Sequence, residues 1–192
     1  MAKPGTGWMC LGTAFMAAAL ALAAYNHRQD LQARQYSAQV LPQLQAALQS
    51  LPADPPDPYA AAMAQVQVED QAYVGYITLP ALQLELPVMA TWSESQLAQA
   101  PCLYAGSALT GDMVIAGHNY TRHFGRLKQL RPGDTVLFCG MDGQVWQYQV
   151  ALVEVLAADQ VEAMTAGEYP LTLFTCTYSG QERLTIRCQL AE

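Results

Sequence analysis

At 192 residues the chain is long enough for one ordinary domain with appendages, and 16 acidic against 9 basic side chains leave a net charge of −7. Charged residues make up only 13% and form no basic cluster, which excludes the basic face that a nucleic-acid partner or an anionic lipid surface would want. Membrane attachment, if there is any, has to come from apolar sequence.

Such sequence opens the chain. Residues 8–25 form an uncharged, apolar run with Trp8 and Tyr25 at its ends, as in an interfacial belt. Its length is at the short end of what crosses a hydrocarbon core of about 30 Å. A cleaved signal peptide is the competing reading, with Ala21-Leu22-Ala23 as a small-residue site. Lys3 before the run and Arg28 and Arg34 after it orient it only weakly. The next segment, 27–50, is rich in Gln, Ala and Leu. Leu31, Tyr36, Val40, Leu44 and Leu48 recur at helical spacing, which predicts a stalk helix that Pro42 can split in two. Pro52-Ala53-Asp54-Pro55-Pro56-Asp57-Pro58 forbids helix and central strand alike and reads as a semi-rigid linker. This divides the chain into a tail and anchor over 1–26, a stalk and linker over 27–64, and a folded domain over 65–192.

Within that domain short strands alternate with turns. Residues 93–100 read as a helix, opened by the capping-box pair Ser93 and Gln96 and stopped before Pro101. Asp112-Met113-Val114-Ile115-Ala116 is a strand, and 124–130 a helical turn ended by Arg131-Pro132-Gly133-Asp134. Met141-Asp142-Gly143 joins two strands, 135–140 and 144–155, into a hairpin. The β-branched run 171–175 and the segment 183–187 form a second pair around the turn 177–182. So many closely spaced short strands predict a mainly β, barrel-type domain.

Five cysteines, none in a CxxC pair, fit no zinc ribbon or redox motif. Cys10 lies in the apolar run; Cys102, Cys139 and Cys188 read as small buried hydrophobes, or as thiols that an outside-facing domain could oxidise in a pairing the sequence does not set. Cys176 differs. It ends the strand Thr172-Leu173-Phe174-Thr175-Cys176 and faces Arg183 at the start of the next strand. Gly117-His118-Asn119 supplies an imidazole at the end of another strand. Thiol, imidazole and guanidinium at three strand ends predict thiol acyl transfer. An unperturbed thiol is mostly protonated at neutral pH, and both Arg183 and a protonated His118 would favour thiolate. His123 is a rival imidazole and Arg187 a rival guanidinium. A zinc site from His118, His123 and Cys176 is a second reading, short of a fourth ligand. A catalytically inert binding barrel is a third.

Thr172-Leu173-Phe174-Thr175-Cys176 followed by Arg183-Leu184 resembles the signature of the sortases, membrane-anchored cysteine transpeptidases of Gram-positive bacteria. Tyr73-Val74-Gly75-Tyr76-Ile77-Thr78-Leu79-Pro80 and Leu84-Glu85-Leu86-Pro87-Val88 look like the family's first two strands. Tyr104-Ala105-Gly106-Ser107, Phe124-Gly125-Arg126-Leu127 and Pro132-Gly133-Asp134-Thr135-Val136 follow in family order. The resemblance implies an eight-stranded barrel with short helices, an uncleaved anchor over 8–25 with the catalytic domain outside, and no cofactor or metal. It implies that Cys176 attacks a peptide carbonyl in an LPXTG-like motif and that Arg183 holds the backbone or the oxyanion. His118 then protonates the leaving amine, and Thr175 and Tyr178 are candidate substrate contacts. The implied partners are surface proteins or pilins with a C-terminal sorting signal, and an amine of a peptidoglycan precursor or a pilin. Asp57-Pro58-Tyr59 has the residue types of the Asp-Pro-aromatic lid of pilus-assembling members, as a Pro-rich linker also can by composition. Gly117-His118-Asn119-Tyr120 departs from the Gly-His-Arg usual there, and the short segment 156–169 lacks the helical insertion of haem-protein-anchoring members, so the subclass stays open.

Overall fold

The computed structural model describes residues 4–51 and 62–191, with side chains from Trp8 onward. Its first element, α1, runs unbroken over Pro4–Gln49. Up to residue 28 the described side chains are exposed, and the helix is long and apolar enough to cross a membrane. Beyond that point one stripe is buried: Ala33, Ser37, Val40 and Leu44. Steps of three and four residues put these on one side of the helix. Leu31, part of the predicted apolar spacing, is 40% exposed instead. Pro42 does not split the helix, although it removes a hydrogen bond and crowds the preceding turn. Val40 and Leu44, on either side of it, pack with Val68, Tyr73, Met89 and Met141, so tertiary contacts hold both flanks. The Tyr36 and Tyr73 hydroxyls add a hydrogen bond of 2.5 Å between helix and barrel.

Among the described residues nine strands follow: β1 (Val66–Val68), β2 (Gln71–Leu79), β3 (Leu84–Met89), β4 (Cys102–Ala105), β5 (Met113–Ala116), β6 (Thr135–Gly140), β7 (Val145–Ala157), β8 (Leu171–Cys176) and β9 (Glu182–Leu190). Eight of them, in the order β2-β3-β4-β5-β8-β9-β7-β6, close into a ring through pairing of β6 with β2, and β1 hangs from β2. The predicted eight-stranded barrel is therefore present. At the closing seam Gly75 sits opposite Gly140, and a Cβ there would lie 2.2 Å from the Cys139 carbonyl oxygen. Only glycine permits so close an approach. Ile77, Phe138, Tyr148, Leu173 and Ile186 fill the interior.

Two short helices cover the outside near β8. Helix α2 (Glu94–Leu97) starts at Ser93, whose hydroxyl accepts the Gln96 amide at 3.2 Å, the cap expected from the sequence. Helix α3 (Val161–Thr165) is fastened by Arg187. That guanidinium donates to the carbonyls of Met164 (2.8 Å) and Ala163 (2.6 Å) and to the Thr172 hydroxyl (3.1 Å). It also pairs with Glu154 at 2.8 Å. Arg187 is thus a buried charge with its donors engaged, a structural staple.

Candidate active site

The site grows out of two strand pairings. Antiparallel β8 and β9 set Cys176 directly opposite Arg183, so both side chains emerge on the same face. Parallel β5 and β8 set Ala116 opposite Phe174, and the Gly117 amide donates to the Phe174 carbonyl at 3.0 Å. His118 and Cys176 each lie two residues beyond that pair and leave the barrel at one edge. Gly117 is required at this corner: a Cβ would come within 2.4 Å of the Phe124 ring, which is fully buried beneath it. Cys176 is a half-buried free thiol. Burial pushes the Cys102 and Cys188 thiols up to about 12 and raises Cys139 as well. All five cysteines are unpaired, as small buried hydrophobes would be at those three positions.

His118 is half-buried and stacks on Tyr120, with ring centroids 4.5 Å apart. Burial lowers its pKa below the usual histidine value, partly offset by the Glu94 carboxylate. The imidazole is accordingly a neutral base near pH 7 rather than a standing cation. Arg183 shares the face of Cys176, but its guanidinium turns back over its own hairpin. Nη1 donates to the carbonyls of Gly180 (3.0 Å) and Glu182 (3.1 Å), and among the described residues Nε and Nη2 make no hydrogen bond.

The remaining predicted residues separate. Thr175 alternates to the opposite face, is 2% exposed, and its hydroxyl has no partner, so it faces the barrel interior and not the thiol. Tyr178 stands on the β8–β9 turn, 90% exposed, with the Lys128 ammonium 5.7 Å from its ring centroid. His123 is fully buried, and neither ring nitrogen closes a hydrogen bond of sound geometry. Burial, with nearby His118, pushes its pKa down to about 4, against a smaller opposing pull from the Gln99 backbone. Its ring lies 5.5 Å from that of Tyr120, which places it behind the Tyr120–His118 stack as packing. Among the described residues no three His, Cys, Asp or Glu side chains gather where they could hold a metal ion. Asp57 and Tyr59 lie outside the described residues.

An aromatic track was missed in the sequence. Phe174 lies on the Cys176 face, Tyr104 meets it edge-on at 5.2 Å, and Trp92 meets Tyr104 edge-on at 5.7 Å. The sequence marks Tyr104 only within the block Tyr104-Ala105-Gly106-Ser107, and no pattern in it singles out Trp92.

A family model described as Sortase domain matches residues 77–191, more than half of the chain. The chain belongs to the sortase family. A sortase A from Bacillus anthracis is 26% identical over 129 residues, covering 64% of this chain and 60% of the relative. The chain thus matches less than two thirds of that relative's length. Among solved structures, sortase C1 from Streptococcus agalactiae superposes with a TM-score of 0.59 at 23% identity, over 68% of this chain and 73% of that one. Sortase A from Corynebacterium diphtheriae gives 0.59 at 17% identity, over 89% and 95%. Both likenesses are of fold.

Proposed function

We propose that this sortase is a membrane-anchored cysteine transpeptidase that cleaves an LPXTG-like sorting motif through a thioester on Cys176. It then transfers the acyl group to an amine of cell-wall peptide or of a pilin lysine. The observation that carries this reading is the pairing of Cys176 with Arg183 at the edge where His118 leaves β5. Neutral His118 takes the thiol proton as Cys176 sulfur bonds the scissile carbonyl carbon, and returns it to the leaving amine. Arg183 swings from its turn carbonyls, exposed groups cheap to leave, to hold the carbonyl oxygen as charge develops. The track from Trp92 to Phe174 suits the apolar part of the donor peptide.

The 8–25 run acts as a single-pass anchor, with residues 65–192 as the catalytic domain outside the cell membrane of a Gram-positive host. In support, the described side chains of that run make no burying contact with the barrel. The test uses the full chain in detergent with a panel of LPXTG-like peptides and amine acceptors, ligated product being detected by mass. Ligation by wild type and none by Cys176→Ala is the expected result. Undiminished turnover in Cys176→Ala would overturn the proposal.

A further inference from the structure

Between α1 and the loop that follows β5 lies a cleft of about 310 Å³, lined by Asn26, Asp30, Asn119, Tyr120, Thr121 and Tyr178. It shares a wall with the catalytic imidazole, because the Tyr120 ring is stacked on His118. Asp30 carries the only formal charge among these lining residues. One of its oxygens accepts the Arg122 amide at 2.9 Å, which fixes the carboxylate while leaving lone pairs free. Asn26, Asn119, Thr121 and the tyrosine hydroxyls add neutral acceptors. A fixed anion ringed by acceptors, with one tyrosine ring between it and a base, has the chemistry of a site for an alkylammonium group.

We propose that this cleft receives the primary amine that resolves the thioester, with Asp30 holding it as the ammonium. The inference rests on the transpeptidase reading and makes α1 part of the acceptor site, not only an anchor. After acylation His118 is neutral, having given its proton to the leaving amine. The ammonium moves from Asp30 past the Tyr120 ring to His118, which takes one proton and exposes the nitrogen lone pair. The nitrogen bonds the thioester carbonyl carbon, the C–S bond breaks with its electron pair going to sulfur, and the second proton passes from nitrogen to the thiolate. The new amide, the free thiol and protonated His118 remain, and His118 discharges to solvent.

The test measures how the full-length enzyme divides a fixed LPXTG-like peptide between hydrolysis and aminolysis. Diglycine serves as the acceptor in one arm and Nα-acetyl-lysine in the other. Asp30→Asn keeps the acceptor for the Arg122 amide but removes the charge, so the aminolysis-to-hydrolysis ratio should fall about tenfold at subsaturating amine and recover at high amine. Asn26→Lys, at an exposed position one turn earlier, places a competing ammonium in the cleft and should produce the same fall. A shift in both arms means that the ammonium itself is recognised; a shift in one arm also supports the subsite and identifies the amine it takes. An unmoved ratio in both variants, with Cys176 acylated normally, overturns the subsite alone. Failure of the wild-type chain to form the thioester overturns the transpeptidase reading and the subsite with it.

Discussion

His123→Leu should make the barrel resistant to mild acid. In the folded chain His123 is buried with no well-formed hydrogen bond at either ring nitrogen, and its pKa falls to about 4, against 6.5 when free. The unfolded chain therefore takes up this proton first. The stability tied to neutral His123 is complete above about pH 6.5 and is withdrawn as pH falls toward the folded value. At about 1.4 kcal/mol per pH unit the gap amounts to roughly 3 kcal/mol, a large share of a typical domain's stability. Leucine has no proton to bind, and it also removes two unsatisfied buried nitrogens, so the variant should be at least as stable as wild type at neutral pH. The assay is guanidinium unfolding of the full chain in detergent, followed by tryptophan emission between about pH 7 and about pH 4.5. Taking the difference between variant and wild type cancels the titrating groups that do not interact with position 123, and leaves the His123 term together with its coupling to His118. The variant should gain on wild type by about 2 to 3 kcal/mol across that range. Parallel stability curves would show that His123 binds its proton freely in the folded protein, and would refute the reasoning.

Two further expectations concern the chemistry. Arg183→Lys keeps a charge but loses the planar fork, and should lower peptide turnover roughly a hundredfold while leaving the unfolding midpoint unchanged, since the native guanidinium bonds only its own turn; near-wild-type turnover would remove Arg183 from the mechanism. The acidic limb of the acylation pH profile should lie below the usual histidine value, because burial favours neutral His118, and Glu94→Gln should move it lower still by removing the carboxylate that favours the charged form. A limb that moves upward in Glu94→Gln would contradict this electrostatic account.

The β8–β9 pair was legible because its signals are local: an apolar β-branched run, a polar turn, then Arg183 at a spacing that fixes the register with Cys176. The cap at Ser93 was legible for the same reason. What escaped depends on contacts between distant segments. The packing face of α1 is built from Ala33 and Ser37 as well as Val40 and Leu44. Small residues carry almost no hydrophobic signal, so Leu31 looked like part of the stripe when it is not. His123 sits in loop sequence, yet the barrel closes over it completely. Thr175 neighbours the nucleophile in sequence, and strand alternation alone turns it to the other side. The direction of the Arg183 guanidinium is a rotamer choice, and no spacing rule reports it.

The unbroken course of α1 through Pro42 has a mechanical meaning. From Asn26 to Gln49 the helix is about 35 Å long at 1.5 Å per residue, and its buried stripe lies flush against the barrel. Barrel and helix axis therefore turn as one body, without a swivel among the described residues. Asn26 and Asp30 border the same cleft as Asn119 and Tyr120, so the reactive edge sits at the level of the first turn after Tyr25. The anchor proposed for the 8–25 run would hold that edge at a constant height just above the lipid. On the proposed function, its encounters with a donor anchored in the same sheet of lipid then become a search in two dimensions, governed by surface density instead of bulk concentration.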